Sequence, residues 1–335
     1  MPPDATSASA WSKKLVAYRT PKTGRSVLEI VVTAVPLLAI WGLAWLLHGR
    51  GLWWAALLLA VPASLFLVRL FMIQHDCGHQ AFFGERRAND WVGRIIGVFT
   101  LTPYDYWRQT HAIHHATSGN LDRRGLGAIE MLTVAEYKAL PAHRRLGYRL
   151  YRHPAVMFGL GPAFVFFLMN RLPIGMMRQG WRPWASVLGN TLAVVIGLGT
   201  LVWLFGPAPV LIVNAATMLL AATIGVWLFY IQHQFEGAEW SRNGVWTRDA
   251  AALAGSSHYD LPPVLRWFTA NIGIHHVHHL SSRIPFYRLP KVLQDNPELA
   301  PMSRVGLLES FRCAKLALWD ESQGRLVSFR EARRV

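Results

Sequence analysis

The sequence predicts an all-α membrane protein: four transmembrane helices in two hairpins, with a cytoplasmic helical cap that holds a histidine-rich di-metal site. Three observations carry this expectation. Apolar residues make up 52% of the 335, with 15 tryptophans among them, which is above the usual soluble range. The apolar residues are gathered into runs, and residues 184–232 contain no Lys, Arg, Asp or Glu. The 34 basic residues avoid those runs: five precede the first, 14 lie between Gln74 and Pro183, 13 follow Gln232, and only Arg50 and Arg69 fall within a hairpin. The positive-inside rule then puts both termini and the central polar region in the cytoplasm. The net charge of +15 is accounted for by topology and anionic membrane lipid, so no nucleic acid partner is needed.

Taken in order, residues 1–26 are a polar, basic, cytoplasmic segment that reads as a frayed tail followed by an interfacial stretch. Met1–Ala10 is too short and polar to be a cleavable signal. A bilayer core takes about 20 apolar residues per helix. Leu28–Leu47 and Leu52–Ile73 supply two such helices within the first hairpin, 27–73, and His48-Gly49-Arg50-Gly51 forms its outer turn. His48 sits on the opposite membrane face from every other histidine and has no metal role in this scheme. Arg69 lies one turn from the inner end of its helix, where it is expected to snorkel.

Residues 74–183 are too long for a connection and too apolar in patches to be disordered. Within them, Trp91–Leu101 reads as a helix lying at the interface. Thr102-Pro103-Tyr104-Asp105 starts another helix with Thr102 as its N-cap. Gly119–Gly125 is a loop whose Arg123 and Arg124 face solvent or lipid. Residues 154–169 are apolar but short and Gly/Pro-interrupted, so they read as a buried or re-entrant segment and not as a fifth span. The second hairpin, 184–232, breaks at Gly206-Pro207-Ala208-Pro209. In the C-terminal region, 233–335, Asp260 caps a helix that begins near Pro262 and carries Arg266, Asn271 and the last histidine group. A polar tail with short helical segments follows from Ser281. Cys77 and Cys313 both fall on the reducing cytoplasmic side and stay free thiols.

Three histidine groups stand out: His75 and His79 in H-D-C-G-H, His111, His114 and His115 in H-A-I-H-H, and His275, His276, His278 and His279 in H-H-V-H-H. On a helix, positions i, i+3 and i+4 share a face, which is a metal-ligand pattern. His233 joins them at the inner end of the fourth span, as His75 does at the inner end of the second. One site needs three or four protein ligands, so up to nine imidazoles imply two metals. Imidazole suits Fe, Zn, Cu and Ni alike, and the chain contains no H-E-x-x-H. The residues alone therefore specify a binuclear, histidine-ligated site at the cytoplasmic ends of membrane helices.

These three boxes, with a pair of spans between the second and third, resemble those of the integral-membrane fatty acid desaturases, and most closely the bacterial acyl-lipid Δ12 (omega-6) type. The likeness runs from about Tyr18 to Pro290 and includes T-P-Y-D-Y-W-R-Q-T-H, G-N-L-D-R-R-G and D-L-P-P-V-L-R-W-F. It implies a di-iron centre with His75, His79, His111, His114, His115, His275, His278 and His279 as ligands. A further family histidine matches His233. His276, which is not a box ligand, is expected to support them, and Asp76, Glu236 and Asn271 to orient the ligands. The implied reaction uses O2 and two electrons to remove two hydrogens from adjacent methylenes of an acyl-lipid or acyl-thioester in the bacterial inner membrane. An alkyl chain has no polar handle near its midpoint, so position must be read by a narrow apolar tunnel. The chain carries no haem or flavin segment, so an external electron donor is implied, with a ferredoxin as the expectation. A membrane hydroxylase, acetylenase or carotenoid oxygenase could use the same boxes. Outside this class, a non-catalytic metal transporter or sensor would need ligands along a path inside the spans, and a membrane zinc hydrolase is a further alternative.

Overall fold

The computed structural model describes residues 5–334. Residues 1–4 of the predicted N-terminal tail, and Val335, lie outside the described residues. Among the described residues, four helices are long and apolar enough to cross a membrane: α2 (Thr23–Gly49), α3 (Trp53–Gly78), α9 (Trp181–Phe205) and α10 (Pro207–His233). They form two hairpins. Gly51 (φ 81°) and Gly206 (φ 86°) take left-handed conformations in the two tight turns, where any other residue would pay for its Cβ. Helix α3 is the most enclosed of the four, packed against α2, α10 and α4 (Arg86–Phe99), whereas α9 is almost wholly peripheral. The hairpins are tied near their turns by Trp45 Nε1, which donates to Asn214 Oδ1 at 3.3 Å, and by Trp41 Nε1, which donates to Thr217 Oγ1 at 3.3 Å.

The remaining elements sit at the other end of the bundle. Helix α4 exposes Trp91, Ile95 and Phe99 along one stripe and buries Asn89, Gly93 and Ile96 on the other, the pattern of an interfacial helix. After it comes α5 (Tyr104–Thr117). Two short sheets stitch the C-terminal tail to the cap. In one, β1 (Leu132–Thr133) pairs parallel with β4 (Leu318–Asp320), which pairs antiparallel with β5 (Arg325–Val327). In the other, β2 (His258–Asp260) pairs parallel with β3 (Arg304–Gly306).

Several expectations are corrected by packing. The N-terminal segment is not wholly frayed: α1 (Ala5–Lys14) buries Ala8, and Leu15 follows it into the core. Arg69 does not snorkel. Its side chain is 2% exposed and pairs with the equally buried Glu29 of α2, while its guanidinium lies 3.9 Å from the Trp267 ring centroid. A charge with a buried partner and an aromatic face has no need to reach the interface. Thr102 does not cap α5, because Pro103 occupies that position and the Thr102 hydroxyl donates instead to Thr100 O. Arg124 does not face solvent or lipid freely; it grips Glu136 through both guanidinium nitrogens. The re-entrant reading of 154–169 needs no such correction: the segment belongs to a bent pair, α7 (Ala142–Tyr151) followed at 57° by Val156–Arg171, the geometry of a re-entrant loop or of a broken span, and its π-helical turns flank the single α turn α8 (Gly161–Ala163). Counting that pair as one span raises the candidate total to five.

The expected helix from Pro262 through the last histidine group is also two helices. After α11 (Arg248–Ala254), α12 spans Pro263–Phe268 and α13 spans His275–Leu280. Between them, Ala270 (φ 49°) and Asn271 (φ 56°) turn the chain. Asp260 lies in β2 and pairs with Arg266 and Arg304 in place of capping. Beyond Ser281 the short helical segments expected of the tail are present as α14 (Leu289–Asp295) and α15 (Leu307–Cys313), with the strands β3 to β5 among them. Cys77 and Cys313 are buried free thiols.

Candidate metal centre

Four helix segments deliver nine imidazoles to one place. His75 is on the last turn of α3 and His79 closes it. His111, His114 and His115 lie on α5, His233 is the last residue of α10, and α13 buries all six of its residues, including His275, His278 and His279. The nine divide into two groups. His75, His79, His111, His115 and His278 form the first and His114, His233, His275 and His279 the second, with the potential ligand atoms of each group within 4.8 Å of one another.

The division follows helix geometry. Within each box the residues at i and i+4 face the same group (His75/His79, His111/His115, His275/His279), while the residue at i+3 reaches the other (His114, His278). One turn of helix advances 3.6 residues, so i+3 and i+4 diverge by one residue step around the axis, and the two boxes interlock. The rings of His115 and His279, one from each group, stack with centroids 4.0 Å apart.

The spacing fits metal ions. Nε2 of His111 lies 3.0 Å from that of His79 and 3.1 Å from that of His115, and His278 Nε2 lies 3.2 Å from His115 Nε2. In the second group His233 Nε2 is 3.0 Å from His114 Nε2 and 3.1 Å from His275 Nε2. Metal–imidazole bonds of about 2.0–2.1 Å give nitrogen–nitrogen edges of about 2.9–3.4 Å in tetrahedral or octahedral shells. A ring nitrogen offers one proton or one lone pair, so His111 Nε2 cannot pair fully with two neighbours, whereas a shared cation would satisfy all of them. His279 Nε2 is buried with no hydrogen-bond partner. Burial, followed by the neighbouring imidazoles, holds His79, His111, His114, His115, His275, His278 and His279 well below the ordinary histidine pKa. They are therefore neutral near pH 7, the form that binds metal.

Supporting contacts are uneven. His75 Nδ1 faces Asp76 Oδ1 at 3.3 Å, and Asp76 Oδ2 accepts the Phe286 N–H at 2.7 Å. His233 Nδ1 lies 3.2 Å from Gly255 O and 3.3 Å from Ser118 Oγ. Trp107 stacks on His111 at 4.6 Å. His276 points away from both groups, with Nε2 donating to Leu299 O at 2.9 Å. Asn271 Nδ2 donates to Phe286 O at 3.3 Å; because the chain turns at Asn271, it is not one helical turn before His275 as expected. Glu236 is exposed and is not brought to either group. Sequence reasoning missed Ser118, Gly255 and Phe286, whose roles depend on contacts between distant segments. Trp107 was findable, since it precedes His111 by one turn of the same helix.

The comparisons agree with this geometry. Residues 52–311 match the family model described as fatty acid desaturase. A fatty acid desaturase of Bacillus subtilis (strain 168) is 41% identical over 97% of this chain and 91% of its own length. Two Synechocystis proteins are more distant. An sn-1 acyl-lipid omega-3 desaturase (ferredoxin) is 29% identical over 67% of this chain and 62% of its own length. An sn-1 oleoyl-lipid 12-desaturase is 28% identical over 67% and 63%. With four apolar helices, nine converging histidines and a match over most of its length, the chain belongs to the fatty acid desaturase family and is an oxidoreductase.

Proposed function

We propose that the chain is an O2-dependent di-iron desaturase of lipid-linked acyl chains in a bacterial inner membrane, acting at the Δ12 (omega-6) position. The observation that carries this is the interlocked pair of all-imidazole clusters at the inner ends of α3 and α10. Bound iron supplies the activation of O2 and the power to break unactivated C–H bonds. In the overall balance, two electrons come from an external donor and two from the chain, O2 is reduced to two waters, and adjacent methylenes become a cis or trans double bond.

The protein's own part is to hold and to exclude. His75, His79, His111, His115 and His278 hold one iron and His114, His233, His275 and His279 the other. Asp76 keeps the Nδ1 proton of His75 in place so that Nε2 faces inward, and Gly255 O does the same for His233. The four histidines of the second cluster are buried, whereas His79 and His115 of the first are only partly so, so water is excluded more completely from the second. Both termini and the metal centre face the cytoplasm, in keeping with the basic residues outside the hairpins. A ferredoxin is the electron donor, supported by the ferredoxin named for one relative and by the basic cytoplasmic face, which suits an acidic protein.

Expression in a bacterium with simple lipids, with fatty acid analysis and iron measurement on the purified protein, tests the reading. New double bonds and two irons per chain are expected, both lost or reduced in His278→Ala. Hydroxylated chains, or stoichiometric zinc with unchanged lipids, would refute it.

A further inference from the structure

A cavity of about 420 Å³ opens beside the first histidine cluster, and its chemistry is unlike that of the metal centre. Arg86, Arg108 and Arg283 line it, together with Gln80 and Gln109. Arg108 and Arg86 share a single carboxylate, that of Asp90, at 2.8 Å and 3.6 Å. Arg283 is exposed and has no acidic partner among the described residues. The mouth therefore carries more guanidinium charge than Asp90 can neutralise, in forks whose geometry matches phosphate oxygens. A ligand that satisfies this excess of charge bears a phosphate.

The cavity also has a definite level. Gly84, on its wall, has open space where a Cβ would be. Two residues earlier, Phe82 O accepts the hydroxyl of Ser26 at 2.6 Å, and Ser26 is in the first turn of α2. On the other side, α4 starts at Arg86 and then exposes Trp91, Ile95 and Phe99. The rim thus lies where spans begin and where a helix turns an apolar stripe outward, which is where lipid headgroups sit.

We propose that this cavity binds the headgroup of an anionic glycerophospholipid, with the phosphodiester on Arg283, Arg86 and Arg108. The inference deepens the lipid-linked reading and rests on it in assigning the bound lipid as substrate. Gly78 and Gln80 flank His79, while Gln109 and Ala112 flank His111, so a headgroup held there anchors the polar end of the lipid beside the metal centre.

Direct binding to detergent-purified full-length protein tests it. Dioctanoyl phosphatidylglycerol is the probe, and dioctanoylglycerol, which lacks the phosphate, is the comparator. The phosphate lipid should bind about tenfold more tightly than the comparator. Arg283→Gln should remove about tenfold from that affinity while leaving dioctanoylglycerol binding as it was, as expected for losing one charge-assisted contact. Arg86→Gln, at a 76% exposed side chain that does not hold the fold together, should act in the same direction. Equal affinities for the two lipids, or no effect of either substitution, would overturn the proposal. So would displacement of the lipid by free coenzyme A at lower concentration than the lipid itself requires, which would identify a soluble phosphate carrier. Slower reduction by the donor protein in Arg283→Gln with lipid binding intact would overturn it too, marking the pocket as a donor contact. Since turnover is not measured, failure here leaves the desaturase reading standing, and failure of desaturation in cells leaves the binding result standing.

Discussion

Asp76 is the residue through which the metal centre and the C-terminal region depend on each other. Its two carboxylate oxygens serve different partners, His75 Nδ1 at 3.3 Å and the Phe286 N–H at 2.7 Å, and the side chain is buried. Asp76→Asn retains one carbonyl oxygen and replaces the other with an NH2 donor. Only one of the two N–H groups can then be accepted, and the other faces a donor. The shorter contact, to Phe286, holds the chain that follows the third box, so the amide oxygen should stay there and His75 should lose its partner. A buried donor left without its partner costs about 1–3 kcal/mol, equivalent to about 5–150-fold in metal affinity at 1.4 kcal/mol per decade. The assay is metal content per chain against increasing chelator, on folded protein in detergent. The midpoint for the first metal lost should fall by that factor, with the second ion retained to higher chelator. Asn271→Ala, which removes a contact to the Phe286 carbonyl but none to a box histidine, should move it less. Metal retention by Asp76→Asn equal to that of the unsubstituted protein would show that Asp76 merely fills space.

Three further outcomes are expected. His276→Ala should keep both metals, since its ring donates to Leu299 O outside both clusters, while thermal stability falls by about 1–3 kcal/mol for the unpaired carbonyl; loss of a metal would contradict the geometry. Gly127→Ala should damage the second cluster: at φ 80° a Cβ would lie 2.4 Å from Thr110 O and 3.4 Å from His114 Cβ, costing about 2–4 kcal/mol, read as lowered melting temperature and reduced metal content. The hydrogen bonds from Arg124 hold the Glu136 carboxyl at about 2, below the ordinary 4.5. Its stabilisation is therefore complete above pH 4.5 and lost as the pH falls towards 2; at 36% exposure screening reduces it to about 1 kcal/mol. Glu136→Gln should flatten that part of an acid-unfolding curve, and an unchanged slope would remove the pair from the stability account.

The parts of this protein legible from sequence are those governed by local patterns. Apolar runs of bilayer length, two of them free of charge and the other two carrying only Glu29 and Arg69, marked all four long helices, because lipid tolerates no unpaired backbone, and those runs need no partner to be recognised. The box histidines were legible because i, i+4 spacing is a property of a single helix. Arg69 shows the limit of such reasoning. Its neighbours in sequence suggest snorkelling, but Glu29, 40 positions away, and Trp267, 198 positions away, keep it inside.

What the sequence by itself determined is the inventory: which helices are long and apolar enough to cross a membrane, which residues can bind metal, and which end of the bundle collects them. Tertiary structure alone decided how the inventory is shared. Spacing within a box could not say that His114 and His278 would cross to the opposite group, because that depends on the angle at which α5 and α13 approach each other. Nor could it say that Asn271 turns the chain away, Glu236 stays exposed and Phe286 comes to rest on Asp76, 210 positions apart. Those outcomes are set by packing between segments that are distant in sequence, and a local pattern carries no information about them.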